Sequence, residues 1–289
     1  MDTISFKTAS ATVIGARHRR AERNGQDAAC VRVEDGIAVA VVCDGCSSGA
    51  GSEVGARLGA RWFAEAMVSA LRTGDVRDRA VWDTARATVV KQLELLVTRG
   101  DQLVTGGDGI QLVKVDDVSP RSADGDGIQL VKVTDPSPRT HVAMIDAQLV
   151  RELTLFTIVA TAITRDGAAV FAIGDGAYAV DGRVRVLGPF PDNEPPYIAY
   201  DLLGAPSTAH FATFDRPTRV LIATDGIDDL GCDVSIFGAS AITAHPDALR
   251  RRLVQLARND ERIDWDERRV IRTPARLQDD LAIAIVEVL

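Results

Sequence analysis

The stretch Ile37–Gly55, IAVAVVCDGCSSGAGSEVG, decides the fold. Its first six residues, Ile37 to Val42, are small or β-branched and all apolar. Bounded by Gly36 and Gly45, such a run reads as a strand buried on both faces. It ends in Asp44-Gly45, followed by a loop of small residues and then Ser52, a helix-cap type. A carboxylate at the tip of a buried strand is costly unless something pairs with it. The chain repeats the arrangement: Asp175 follows AAVFAIG, Asp225 follows RVLIAT, and Asp279-Asp280 precede LAIAIVEVL. Strand-end carboxylates from distant parts of the chain point to one acidic metal site.

The chain has 289 residues, of which 46% are hydrophobic, enough for a sizeable core in a single domain. Its net charge of −8 argues against a nucleic-acid backbone as partner. No apolar run approaches the length of a membrane span, so no membrane partner is expected. The opening residues, MDTISFKTAS, lack the charged-then-apolar layout of a signal peptide. Cys30, Cys43, Cys46 and Cys232 are scattered, as in a reduced, cytoplasmic protein. Cys43-x-x-Cys46 has no second such pair and no nearby histidine, which argues against a zinc or redox role.

In chain order, strands are expected at Thr3–Ile14, Ala28–Glu34 and Ile37–Val42, with a polar, basic connection from Gly15 to Asp27. Asp35-Gly36 between apolar runs is a hairpin signal. Two helices follow. One carries a stripe of Val54, Leu58, Trp62, Ala66 and Ala70 with Phe63 and Met67 beside it. The other carries Val81, Ala85, Val89, Leu93 and Leu96. Strands resume at Leu153–Thr164, Ala168–Ile173, Ala177–Val180, Val184–Leu187 and Arg219–Thr224. A helix from Pro246 to about Asn259 and a strand over Leu281–Leu289 complete the chain. Tight hairpins between sequential strands favour antiparallel sheets with helices outside over a βαβ design. His18, among arginines, reads as part of a solvated basic turn, and the Tyr197–Tyr200 pair as packing.

Residues 102–140 stand apart. They hold a near-perfect tandem repeat, DGIQLVKVDDVSPR at Asp108–Arg121 and DGIQLVKVTDPSPR at Asp126–Arg139. Two copies are too few for a solenoid. The Gly, Asp, Ser and Pro content reads as an exposed insertion, a β-hairpin or flap without chemistry of its own.

Five motifs occur in order: NGQDA (Asn24–Ala28), VVCDGCSSG (Val41–Gly49), FAIGDGAYAV (Phe171–Val180), LIATDGIDDL (Leu221–Leu230) and QDDLAIAIV (Gln278–Val286). Together they resemble the metal-dependent serine/threonine protein phosphatases of type 2C, the PPM family, and most of all their bacterial branch. The resemblance implies an α+β fold: an antiparallel β-sandwich flanked by helix pairs, in α-β-β-α layers. It takes residues 1–289 as a single type 2C phosphatase-like domain with the repeat insertion at about 102–140. It also implies hydrolysis of phosphoserine and phosphothreonine on proteins by a metal-bridged water in a dinuclear Mn²⁺ or Mg²⁺ centre. The substrate would be a phosphorylated protein, opposing a serine/threonine kinase. Carboxylates, carbonyls and water suit such hard cations.

Carried over by motif, the resemblance makes Asp44, Asp225 and Asp279 the catalytic carboxylates that hold the metals. Gly45 lends a carbonyl, and Asp280 is a second choice beside Asp279. Asp27 supports the cluster through a water, and Asp175 and Asp229 match carboxylates that hold a third, looser ion in some bacterial members. The chain departs from the pattern at three places. Glu22 stands where the family carries its phosphate-clamping arginine, leaving Arg23, then Arg20, as candidates. Cys46 fills the slot of a histidine thought to protonate the leaving group. GDGA replaces GDSR. The alternative reading is a catalytically weak, phosphatase-like regulatory or binding module.

Because the repeat lies outside every motif and closure entropy grows only with the logarithm of loop length, deleting Asp108–Arg139 is expected to leave a folded protein with basal activity on p-nitrophenyl phosphate. A deletion variant that is insoluble or inactive would make the insertion structural.

Overall fold

The computed structural model describes residues 4–99, 110–112, 130–132, 144–191, 194–238, 241–245 and 247–289. The chain divides into two compact units, Met1–Val97 with Ala147–Leu289, and Thr98–Asp146.

The larger unit is an antiparallel sandwich with helical layers. Its strands are β1 (Phe6–Val13), β2 (Ala28–Glu34), β3 (Ile37–Cys43), β4 (Ile158–Thr164), β5 (Gly167–Ile173), β6 (Gly176–Val180), β7 (Arg183–Leu187), β8 (His210–Phe214), β9 (Arg219–Ala223), β10 (Asp260–Asp264), β11 (Arg269–Thr273) and β12 (Leu281–Val288). The main helices are α1 (Ala16–Arg20), α2 (Ser52–Leu71), α3 (Arg79–Val97) and α4 (Ala248–Ala257). One five-stranded sheet runs β1-β12-β9-β6-β7 and the other β8-β5-β4-β3-β2, while β10 and β11 pair only with each other. The α+β layering expected from the motifs is what forms.

Alternation along the central strands builds three cores at once. In β3, Ile37, Val39, Val41 and Cys43 face α2 and α3, and Ala38, Ala40 and Val42 face the opposite sheet. In β12, Leu281, Ile283 and Ile285 face α4, and Ala282, Ala284 and Val286 face β3's sheet. Alanines dominate the inter-sheet face of both strands, and larger side chains meet the helices.

The α2 stripe differs from the expectation. Val54 is 43% exposed, and the buried face is Gly55, Ala56, Gly59, Ala60, Phe63, Ala64, Met67, Val68 and Leu71. Close approach decides the face. A Cβ on Gly59 would sit 2.3 Å from Phe156, and one on Gly55 only 1.7 Å from the Leu153 carbonyl oxygen. On α3, Ala85, Val89 and Leu93 are buried as expected, joined by Trp82 and Val97.

Other differences are local. The basic connection contains the short helix α1. Leu153 lies in a π-helical turn, Val150–Thr154, rather than in β4. Strand β8 and the β10–β11 hairpin were not expected. The Asp35-Gly36 turn has the anticipated chemistry (φ +48° and +77°), and Asp181-Gly182 (φ +48° and +82°) adopts the same left-handed pair of a type I′ turn.

In the smaller unit, Thr98–Arg99 pairs with Met144–Ile145, and Ile110–Leu112 of the first repeat copy pairs with Leu130–Lys132 of the second. The rest of both copies lies outside the described residues.

Phe63 ties helix layer to sheet, stacking on Phe171 at 5.6 Å and meeting Trp82 at 6.2 Å. Phe63→Ala is expected to cost about 3–5 kcal/mol in urea denaturation. A loss below about 1 kcal/mol would show that this aromatic cluster does not couple the layers.

Candidate metal centre

Register brings the strand-end carboxylates to one end of the sandwich. Ala28 pairs with Cys43, which sets Asp27 across from Asp44. The Thr157 amide donates to the Asp44 carbonyl at 2.8 Å, and Ile158 pairs with Ile173, two residues before Asp175. In the other sheet, Ala177 pairs with Ala223 and Ala223 with Ile283, so Asp175, Asp225 and Asp279 converge from three strands.

The turns that hold them are shaped by packing. Gly45 and Gly226 both have φ outside the left-handed region. A Cβ on Gly226 would lie 1.9 Å from the Asp280 carbonyl oxygen, and one on Gly45 would lie 2.9 Å from that of Gln26. These Asp-Gly pairs are therefore close-approach sites. Around Asp175 the flanking glycines carry the strain instead, with φ of +94° at Gly174 and +117° at Gly176.

The electrostatics are those of crowded, partly desolvated acids. Burial pushes Asp27 up to about 8, against hydrogen bonds from the Thr224 hydroxyl and with Asp44, and with repulsion from Asp280 and Asp225 adding to it. Burial, then the charges of Asp27 and Asp225, hold the Asp44 carboxyl well above the usual carboxylate range. Burial together with Asp175, Asp279 and Asp228 raises Asp225 to about 7. Asp175 is raised by burial and by Asp228, and its Oδ1 is buried with no hydrogen-bond partner among the described residues. An orphaned carboxylate oxygen amid mutually repelling acids, with oxygen donors throughout, fits a hard divalent cation.

The remaining acids are differently employed. Asp280, 3% exposed, accepts the Gly15 amide at 2.8 Å and the Gln26 amide at 2.7 Å, so both oxygens anchor loops. Asp229 accepts the Gln278 and Asp279 amides at 2.7 and 2.8 Å, bracing the turn that presents Asp279. Asp228, which sequence reasoning passed over, is the neighbour acting on Asp175 and Asp225. His18 is also missed. Its side chain is 14% exposed, with Nδ1 2.9 Å from Asp280 Oδ2 but not aligned for a hydrogen bond. His18, Asp279 and Asp280 offer ligand atoms all within 4.8 Å of one another.

Both candidate arginines lie at this end. Arg23 Nη1 donates to the Ser47 carbonyl at 3.2 Å, on the loop that follows Asp44. Arg20 is held more firmly, donating to the Ala16 carbonyl and to Gln278 Oε1. Cys46 Sγ lies 3.0 Å from Ser48 Oγ. Burial pushes this thiol up, but hydrogen bonds from Ser48 and Tyr197 outweigh it and leave the thiol lowered. Tyr197 thus reaches this loop while packing edge-on against Tyr200 at 5.6 Å.

A cluster of carboxylates at one end of an α-β-β-α sandwich, with a donor set suited to a hard cation, is what fold and side chains define. The sequence model described as Protein phosphatase 2C matches residues 14–260, and the chain belongs to that family. A bacterial serine phosphatase structure superposes with a TM-score of 0.53 at 11% identity, covering 99% of this chain and 98% of that one. A serine/threonine phosphatase of Staphylococcus aureus gives 0.51 at 10% identity, over 99% and 96%. A C. elegans sex determining protein gives 0.53 at 12% identity, over 99% of this chain and 65% of that one. At these identities the likeness is one of fold. A search of the curated proteins finds no match. Among the described residues no helix is long and apolar enough to cross a membrane.

The raised carboxyls set a pH dependence. Folded Asp27 and Asp225 keep protons up to about 8 and about 7, whereas the same groups unfolded lose them near 3.8. The folded state binds more protons between those limits, so the metal-free protein should lose stability as pH rises from about 4 to about 8. Melting temperatures of EDTA-treated protein are expected to fall across that window, and stabilisation by added Mn²⁺ to grow. A melting temperature that stays flat or rises would contradict this electrostatic picture.

Proposed function

We propose that the protein hydrolyses phosphoserine and phosphothreonine esters on proteins, using two Mn²⁺ or Mg²⁺ ions at the sandwich end. The observation that carries this reading is the convergence of Asp44, Asp225 and Asp279 from separate strands, with an all-oxygen donor set. When bound, such ions acidify a water and offset charge on the phosphoryl oxygens. Asp44, Asp225 and Asp279 would hold the ions, and the Gly45 carbonyl would add a neutral donor. Asp27, fixed by the Thr224 hydroxyl, orients the cluster from behind. Asp175, with Asp228 as its charged neighbour, would hold a looser third ion. Asp280 and Asp229 act through the backbone, holding the loops on which Gly15, Gln26 and Asp279 sit. Arg23, whose guanidinium makes a single bond to a carbonyl, is the group best placed to turn onto phosphoryl oxygens.

The substrate in this reading is a phosphorylated protein made by an opposing serine/threonine kinase. The four cysteines are all unpaired, which supports a reducing, cytoplasmic setting. The repeat-bearing segment is an insertion into the single catalytic domain.

The test is hydrolysis of a phosphothreonine peptide with Mn²⁺ and with EDTA. Activity is expected to require the cation, and Asp44→Asn and Asp225→Asn are each expected to reduce it to background while the fold persists. Removing one of several repelling carboxyls should also raise the melting temperature of the metal-free protein. Activity that survives exhaustive chelation, or wild-type rates in either variant, would overturn the mechanism.

A further inference from the structure

We propose that the cleft at the open edge of the sandwich, between β1, β2 and α2, is an anion site that takes a phosphate or phosphomonoester dianion. It encloses about 460 Å³, within the range of small-ligand sites. Arg32 of β2 and Arg57 and Arg61 of α2 line it. Arg57 and Arg61 are four residues apart and so share one helix face.

The charge in this cleft is under-compensated. One carboxylate, Glu65, serves two of the three guanidiniums: its Oε1 accepts Arg61 Nε at 2.8 Å and Arg32 Nη2 at 3.3 Å. That contact holds both arginines in place while leaving the terminal nitrogens of Arg61 free. Arg57 has no hydrogen-bond or ion-pair partner among the described residues. The one acid in the lining, Asp27, is 5% exposed and its carboxyl is turned to Thr224 and Asp44. Three cations answered by one carboxylate, in a chain of net charge −8, form a local anion trap. Guanidinium forks suit phosphate oxygens, and apolar Val13 and Ile14 give an ester's carbon part a surface to rest on.

The cleft adjoins the metal end through Gly25 and Asp27, whereas Arg20 and Arg23 point to Gln278 and Ser47. An occupant therefore binds beside the catalytic carboxylates without using them. The dianion has two sources: a second phosphoryl group on the substrate polypeptide, or free orthophosphate. The first rests on the phosphatase reading, and the second does not.

Calorimetric titration of the full-length protein separates these cases, in EDTA for orthophosphate and in Mn²⁺ for peptides. Stripped of cations, the carboxylate cluster repels phosphate, so binding of orthophosphate reports on the cleft. Orthophosphate is expected to bind the wild type, with at least tenfold weaker binding in Arg57→Ala and in Arg61→Ala and unchanged binding in Arg23→Ala. Arg57→Ala breaks no hydrogen bond or ion pair among the described residues, so its fold is expected to be preserved, which circular dichroism checks. In Mn²⁺, with phosphoserine replaced by its non-hydrolysable phosphonate analogue, a peptide with two such groups that binds at least tenfold better than one with a single group, in wild type but not in Arg57→Ala, assigns the site to the substrate. Equal binding of the two peptides, with orthophosphate bound, assigns it to the free anion. No orthophosphate binding in EDTA, or equal binding by wild type and Arg57→Ala, overturns the proposal. Loss of hydrolysis alone would bear on the catalytic reading and leave this result standing.

Discussion

The structure turns on the repulsion among acids at one end of a sandwich whose strands cannot slip. Slipping an antiparallel pair by one residue exchanges its two faces. In β3 that would put valines against the opposite sheet and alanines against the helices. Three cores therefore fix the register at once, and the register fixes where Asp27, Asp44, Asp175, Asp225 and Asp279 sit. Hydrophobic burial holds together carboxylates that would otherwise part. The folded chain tolerates them by raising their proton affinities.

The same constraint explains the glycines. At Gly15, a Cβ would meet the Asp279 carbonyl carbon at 2.2 Å, and at Gly226 the Asp280 carbonyl oxygen at 1.9 Å. Both close approaches are to the backbone that leads into β12. Asp280 answers from its side by accepting the Gly15 and Gln26 amides. The loop that carries Asp279 is thus wedged between two glycine contacts and stapled by Asp280 and Asp229. Asp279 thus has a rigid mount, supplied by other carboxylates through backbone amides.

What the sequence disclosed follows from where its signal was strong. Buried strands ending in acids were legible because apolar runs are long and Asp-Gly is conspicuous, so β3, β5, β9 and β12 stood out with the residues they deliver. Glycine's two uses were not separable from composition. Asp35-Gly36 is turn chemistry, but Asp44-Gly45 and Asp225-Gly226 are close contacts, and only the folded packing distinguishes them. The α2 face was misjudged because apolar size was weighed and helix–sheet distance was not. Gly55 and Gly59 are buried as contact surfaces with no side chain to advertise it. Strand β8, HFATF, is short and only half-buried, and the β10–β11 hairpin is mostly charged, so neither showed a clean period.

Neighbouring acids were harder still. Asp228 and Asp229 are adjacent and chemically identical in the sequence, yet a short helical turn, Asp225–Leu230, sends them to different work. Asp229 meets the amides of Gln278 and Asp279, and Asp228 turns its charge toward Asp175 and Asp225. His18 presents the same difficulty. Among four basic residues of α1 it reads as solvated, but Gly15 bonded to Asp280 draws the helix start against β12 and buries its ring edge. In each case a tertiary contact made some 50 to 260 residues away assigns the role. Such contacts join parts of the chain that no local pattern relates. The carboxylates at this end therefore divide by what faces them: Asp280 and Asp229 accept the amides of distant loops, whereas Asp27, Asp44, Asp175 and Asp225 are wholly or partly buried where they repel one another.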